Sequence, residues 1–210
     1  MTRAPKVVVY DYGSGNLRSA ERALVRAGAE VEVTADQVAA VRCDGLVVPG
    51  VGAFAACVEG IEQVGGRAVI GDRIDRGRPV LGVCIGMQVL FDSSEEGDGR
   101  AKGLGALPGM VRRLTAPVVP HMGWNTLVAR EDSRLLAGID PAASFYFVHS
   151  YAACVGAPAI VDIDEVTAWS DHGGRFAAVV ERGALAATQF HPVKSGDAGA
   201  ALLRNWVATL

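Results

Sequence analysis

One cysteine of the chain stands in a setting that favours nucleophilic chemistry. Cys84 is the middle residue of Gly82-Val-Cys-Ile-Gly86, between an apolar run and a predicted helix. This is the spacing of a nucleophile elbow, in which small residues let the backbone turn sharply and hold the nucleophile above a sheet. The positive end of the following helix is expected to lower the pKa of the thiol. The alternative is a buried structural cysteine, the setting assigned to Cys43, Cys57 and Cys154.

A nucleophilic cysteine needs a base that holds its proton and returns it to the leaving group. His191 has the best setting of the four histidines, because it follows the apolar run 185–190 and precedes Pro192. A strand-end position would place it on the same rim of a parallel sheet as Cys84. His172, in a glycine-rich loop, is typical of a solvated residue. Since a lone histidine is more often a packing or surface residue, the pattern alone leaves the role of His191 open.

The elements that must position these side chains alternate between strand and helix in the first half. Strands are predicted at 6–11, 30–33, 45–49 and 79–83, and helices at 16–27, 53–64, 66–76 and 87–91. Uniformly apolar strands separated by helices predict a parallel sheet that is covered on both faces.

The second half is richer in strands. They are predicted at 110–114, 126–129, 144–150, 160–164, 175–181 and 185–190, before a final helix at 197–208. The predicted fold class is α/β, with a mostly parallel central sheet flanked by helices and an additional strand-rich second half. One single domain is expected to span residues 1–210.

Composition excludes several classes of function. The chain has 210 residues, 50% of them hydrophobic, and a net charge of -3 without blocks of like charge, so nucleic acid is not an expected partner. No apolar stretch approaches the roughly 18–20 residues of a membrane span, and no signal-peptide segment is recognised. The four cysteines lack metal-ligand spacing and a disulfide pattern. We expect a cytoplasmic, thiol-reduced protein without a metal or cofactor.

Six segments carry a resemblance to a known family. Residues 82–88 and 189–192 together resemble the two signature motifs of triad-type (class I) glutamine amidotransferases. Residues 11–16, 49–54, 120–125 and 145–151 narrow the resemblance to one family, the glutaminase subunit of imidazole glycerol phosphate synthase, an enzyme of histidine biosynthesis. The similarity runs from about Val7 to Trp206, with the motifs in family order.

The resemblance implies a glutaminase reaction. Cys84 would attack the side-chain amide of glutamine, His191 would protonate the departing ammonia, and water would hydrolyse the glutamyl thioester. Two sets of positions match further roles. The oxyanion donors would lie at Gly50, Val51, Gly52 and Ile85, and the glutamine pocket would be lined by Gln88, Glu96, His149, Ser150 and Tyr151, with Glu96 pairing the substrate ammonium.

The resemblance also implies a partner. The family works as a heterodimer with a barrel-shaped cyclase subunit, a lyase complex in which ammonia travels through the barrel. The products are imidazole glycerol phosphate and an aminoimidazole carboxamide ribotide. Residues 121–125 and 11–16 would lie near the docking surface.

The sequence departs from the family at one position of the triad. Val193 stands where the family has the glutamate that orients the histidine and stabilises its imidazolium. Three explanations are open: a slowed but active glutaminase, which we favour; a substitute acid such as Asp171 or Glu165; or a catalytically impaired subunit that binds and activates the synthase. An amidotransferase that feeds a different synthase is a further alternative.

Overall fold

The structure, a computed structural model, describes residues 3–97, 99, 101–154 and 164–210. An eight-stranded sheet forms its centre. Its strands are β1 Lys6–Tyr10, β2 Glu30–Thr34, β3 Gly45–Gly50, β4 Val80–Cys84, β8 Val128–Ala129, β11 Val166–Asp171, β12 Arg175–Arg182 and β13 Leu185–Thr188. Their order across the sheet is β2-β1-β3-β4-β13-β12-β11-β8. The first five strands in this order pair in parallel, and the remaining pairs are antiparallel.

Both faces of the parallel part are buried. Along β1, Val7 and Val9 point to one apolar cluster while Val8 and Tyr10 point to the other. The helices α1 Leu17–Arg26 and α6 Gly196–Val207 pack on the first face. The second face is covered by α2 Gln37–Arg42, α3 Phe54–Gln63, α4 Gly66–Asp75 and α5 Ile85–Gln88. The predicted α/β class with a mostly parallel sheet is therefore confirmed.

Two smaller sheets extend the second half. One consists of β5 Phe91–Ser94, β6 Leu107–Arg113 and β10 Tyr151–Ala153, and the other pairs β7 His121–Thr126 with β9 Ser144–His149. The antiparallel pairing of β7 and β9 sets His121 opposite His149. It thereby brings two of the resembling segments together.

Several predicted elements need correction. The helix predicted at 87–91 is wrong, because α5 ends at Gln88 and Phe91 begins β5; a short apolar run does not distinguish helix from strand. Helix α2 was not predicted, although the Asp36 side chain caps it by accepting from the Ala39 amide. The strand predicted at 126–129 is divided between β7 and β8. Most of the strand predicted at 160–164 lies outside the described residues. No helix within the described ranges is long and apolar enough to cross a membrane.

Candidate active site

Cys84 occupies a sharp turn between β4 and α5. Its φ of 57° is the only positive value at a non-glycine residue among those the structure describes. A Cβ on Gly86 would overlap the carbonyl oxygen of Val48, and one on Gly82 would lie 2.7 Å from the Gly86 oxygen. The glycines of the motif are therefore required by close backbone packing, and the strained conformation of Cys84 is typical of a functional position.

The ionisation of Cys84 differs from the sequence-based expectation. Burial raises the pKa of the Cys84 thiol to about 12, and this outweighs the lowering by the Ile85 amide and by Lys194. The expected lowering of the pKa is wrong for this state, because α5 has only four residues and the sulfur is almost fully desolvated. Cys84 is a neutral thiol at rest.

His191 lies in the same cleft as Cys84, 107 positions away in the chain. The cleft is lined by Val51, Gly52, Cys84, Ile85, Gln88, Glu96, Pro120, Val148, His149, Ser150, Tyr151, His191 and Lys194, and we call it the cysteine cleft. Two hydrogen bonds hold the main chain of His191. Its N–H donates to the Tyr146 carbonyl at 3.0 Å, and its carbonyl accepts from Ser195 Oγ at 2.8 Å. Burial first, and then Lys194, lower the pKa of His191 to about 4. The imidazole is therefore neutral at neutral pH and able to accept a proton.

No carboxylate of the described residues supports this histidine. A second, mostly apolar cavity lies on another side of His191, and Val193 lines it together with residues such as Leu24, Leu81 and Leu203. Neither Asp171 nor Glu165 lines this cavity or the cysteine cleft. Within the described part of the chain, no acid contributes to the pKa of His191.

All five expected glutamine-pocket residues line the cysteine cleft. Glu96 is the only carboxylate among its described lining residues. Its Oε2 accepts from the Phe54 amide at the start of α3, at 2.7 Å. Glu96 thus connects the pocket to the helix that follows the expected oxyanion segment.

The expected oxyanion segment, Gly50 to Gly52, is held by the loop that follows β1. The hydroxyl of Tyr12 donates to the Pro49 carbonyl, and Ser14 Oγ donates to the Val51 carbonyl at 2.8 Å. The Val51 amide donates to Ser14 Oγ at 3.1 Å, so this N–H is already engaged. Gly50 lies directly beside Cys84 in the sheet, and any Cβ on it would clash with the backbone around Ile85.

Two site residues were missed from the sequence. Gln189 lies fully buried with its Nε2 3.9 Å from Cys84 Sγ, and Lys194 lines the cysteine cleft. Both residues stand within or close to the motif at 189–192, and their position there was the sequence signal that could have identified them. No set of three or more described His, Cys, Asp or Glu side chains is arranged to hold a metal ion.

Comparisons with known proteins agree with this geometry. The family model described as glutamine amidotransferase class-I matches residues 8–210. Similar curated proteins include the imidazole glycerol phosphate synthase subunit HisH of Nocardia farcinica, 58% identical over 100% of both chains. The protein of the same name from Streptomyces coelicolor is also 58% identical, over 99% of this chain and 95% of its own.

Solved structures share the fold at low identity. A structure described as a glutamine amidotransferase has a TM-score of 0.71 and 21% identity, covering 97% of this chain and 99% of its own. PurLQS from Thermotoga maritima has a TM-score of 0.71 and 18% identity, covering 99% of each chain. At these identities the likeness concerns the fold alone.

Proposed function

This chain belongs to the class-I glutamine amidotransferase family, and we propose that it is the glutaminase subunit of an imidazole glycerol phosphate synthase. In this role it hydrolyses glutamine to glutamate and ammonia and delivers the ammonia to a cyclase subunit. Curated relatives that are 58% identical over nearly the full chain carry the name of this synthase subunit. The observation that carries the proposal is the cysteine cleft, in which an elbow cysteine, a buried histidine and the five expected pocket residues meet.

The proposed reaction begins with a neutral pair. Because the pKa of Cys84 is about 12 and that of His191 about 4, the proton stays on the sulfur at rest. His191 takes this proton as Cys84 attacks the amide carbon of glutamine, and then passes it to the departing ammonia. Water hydrolyses the thioester. The resting site is therefore slow, and substrate or partner binding is expected to stabilise the charged pair further.

The oxyanion of the tetrahedral intermediate needs backbone donors. We assign one donor to the Ile85 amide, which already lies close enough to lower the pKa of the Cys84 thiol. The second donor is assigned to the segment from Gly50 to Gly52, as the family resemblance implies. The Val51 amide can serve only after it leaves Ser14 Oγ.

Glutamine binding is assigned to the remaining cleft residues. Gln88 Oε1 is buried and without a hydrogen-bond partner among the described residues, so it offers a free acceptor to the substrate. Glu96 is assigned to the substrate ammonium, since it is the carboxylate available in the cleft. His149, Ser150 and Tyr151 also line the cleft and are assigned to contacts with the substrate.

Val193 slows this glutaminase without abolishing it. In serine enzymes the loss of the equivalent acid costs about 10⁴ in turnover, and a more nucleophilic cysteine is expected to depend on it less. The apolar surroundings of Val193 also favour a second candidate, a subunit that docks and activates the synthase but cuts glutamine poorly.

The docking surface is proposed to include the outer face of β7. Met122 and Trp124 are exposed by 64% and 59%, and Val118 nearby by 71%. Exposed large apolar side chains of this kind favour a protein interface. The partner assigned to this face is the cyclase subunit, in a one-to-one heterodimer.

The test uses Cys84→Ala mixed with the cyclase subunit and its ribotide substrate. We expect no synthesis with glutamine and normal synthesis with added ammonium, at unchanged cyclase affinity. Cys154→Ala is the matched control, since Cys154 lies outside the cleft. Residual glutamine hydrolysis in Cys84→Ala would refute the nucleophile assignment, and failure to bind the cyclase would refute the partner assignment.

A further inference from the structure

Gln189 contacts the sulfur of Cys84 from a fully buried position. Its Nε2 lies 3.9 Å from Cys84 Sγ, and its Oε1 accepts from Gln88 Nε2 at 3.0 Å. The relative exposure of the Gln189 residue is 0%. The Gln189 side-chain amide therefore has its nitrogen on Cys84 and its oxygen on Gln88. The donor from Gln88 determines which of the two atoms faces the sulfur.

The orientation of Gln88 is fixed in turn. Its Nε2 donates both to Gln189 Oε1 and to the Tyr151 carbonyl, the latter at 2.7 Å. A carbonyl oxygen only accepts, so a flipped Gln88 would set oxygen against oxygen at that contact. Both hydrogens of the Gln88 amide are therefore used, and Gln189 must turn its own N–H groups toward Cys84.

The donors and acceptors of the neighbouring hydrogen bonds can also be assigned, through the imidazoles of His149 and His121. His149 Nδ1 lies 2.9 Å from the Tyr151 carbonyl and must donate to it, so His149 Nε2 is an acceptor. His121 Nδ1, 3.1 Å away, must then be the donor, and His121 Nε2 accepts from Asn125 Nδ2 at 3.3 Å. This assignment requires both rings to be neutral. Burial agrees with it, lowering the pKa of His149 to about 3 and that of His121 to about 4.

We propose that Gln189 is a positioning residue that donates an N–H to the Cys84 sulfur and stabilises its thiolate. The hydrogen-bonded line Asn125–His121–His149–Tyr151–Gln88 holds this donor in place from the β7 side of the molecule. This role adds a residue to the proposed glutaminase mechanism, and it depends on the proposed function only because that function makes Cys84 the nucleophile. In a site where Val193 gives His191 no support, a donor aimed at the sulfur offsets part of the desolvation of the thiolate.

Several charged and titratable groups of the described residues face Cys84. Lys194 lowers its pKa and Cys57 raises it, and Cys84 in turn raises the pKa of Tyr12. The other titratable groups that line the same cleft are His191 from the loop after β13, Glu96 beside β5, His149 from β9 and Tyr151 from β10. None of these groups is altered by a substitution at Gln189, so a change in the thiol pKa would be due to the lost donor.

The experiment measures alkylation of Cys84 by iodoacetamide against pH, in the full chain without glutamine, with mass spectrometry of each cysteine peptide. Gln189→Met removes the N–H donor at similar volume. Because the pKa of the thiol lies far above neutral pH, the readout is the labelling rate near neutral pH, which we expect to fall about threefold or more, corresponding to a rise of about half a unit in that pKa. Gln63→Met makes the same chemical change at an exposed position of α3 and should leave the profile unchanged.

Labelling of folded Gln189→Met at an unchanged or faster rate would overturn the proposal, since a packing defect that admits water lowers the pKa of the buried thiol, whereas the loss of a donor raises it. Should Gln189→Met fail to fold, Gln88→Met decides, because it releases the Gln189 amide without removing it. Gln88→Met is then expected to slow the labelling of Cys84 in the same way, and labelling at the wild-type rate would overturn the proposal. The assay contains no glutamine, so failure of the proposed function would be seen separately, as absent glutamate formation in the unaltered protein.

Discussion

The hydroxyl of Ser14 binds both backbone groups of Val51. It donates to the Val51 carbonyl at 2.8 Å and accepts from the Val51 amide at 3.1 Å. The thiol of Cys57 adds a contact of 3.3 Å to the same carbonyl. The segment proposed to supply an oxyanion donor is therefore held by the loop after β1 in a state where its Val51 amide is occupied.

Removal of this clamp is expected to activate the resting enzyme. Ser14→Ala leaves the Val51 amide without its acceptor, so the segment can turn the N–H toward the cleft more readily. We expect glutamate formation without cyclase to rise several-fold. Ser19→Ala is the control, because only the backbone of Ser19 takes part in its hydrogen bond to Asn16. Equal rates for Ser14→Ala and the unaltered chain would contradict an inhibitory clamp.

Restoring the acid at position 193 should increase turnover. Val193→Glu places a carboxylate next to His191, which raises the pKa of the imidazole and stabilises the imidazolium formed during attack. We expect kcat for glutamine hydrolysis with cyclase to rise by several-fold to about a hundredfold.

Val193→Gln is the matched control for this substitution. It has the size of glutamate without the charge and should give much less gain. Thermal unfolding of both variants checks whether the apolar surroundings of the side chain tolerate a polar group. A Val193→Glu protein that folds normally but gains nothing would show that position 193 is not coupled to His191.

The carboxylate of Glu96 is expected to have two roles that substitutions can separate, namely binding of the substrate ammonium and the hydrogen bond from the Phe54 amide. Glu96→Gln keeps an acceptor for the Phe54 amide but loses the charge for the substrate ammonium. We expect KM for glutamine to rise by about tenfold or more, with unfolding unchanged, since hydrogen bonds to charged groups contribute about 1.5–3 kcal/mol. Glu96→Ala should show the same KM defect plus a lower melting temperature. A normal KM in Glu96→Gln would remove Glu96 from the glutamine site.

Stability should fall in mild acid, in part because of His149. Its pKa is lowered to about 3 in the folded state by burial, whereas an unfolded histidine takes up a proton near pH 6.5. The unfolded state therefore binds more protons below pH 6.5, and His149 lowers the free energy of unfolding from there downward by at most about 1.4 kcal/mol per pH unit. His121 and His191, whose pKa values are lowered to about 4, add to this loss.

Urea unfolding at pH 7.5 and pH 5 measures this loss. His149→Gln can keep the donor to the Tyr151 carbonyl and the acceptor for His121, but it does not titrate. The variant should lose less stability between the two pH values than the unaltered chain. An equal loss in both proteins would show that His149 is not the source.

The sequence was sufficient for the parallel sheet, the elbow and the pairing of Cys84 with His191 in one cleft. These follow from local patterns and from the rule that strand ends share a rim. Other features depend on atoms that only the fold brings together. The high pKa of the Cys84 thiol results from burial by distant segments, which outweighs a helix of one turn. The Ser14–Val51 clamp joins residues 37 positions apart in the chain, and no spacing rule predicts it.

In the proposed reaction, Cys84 and His191 cut glutamine without a supporting acid. The decisive measurement is glutamate production from glutamine by the unaltered protein, with and without the cyclase subunit and its ribotide substrate. We expect glutamate formation in the complete mixture well above the rate without cyclase. Absence of glutamate, while synthesis still runs on added ammonium, would contradict it and identify a subunit that docks but cannot cut glutamine.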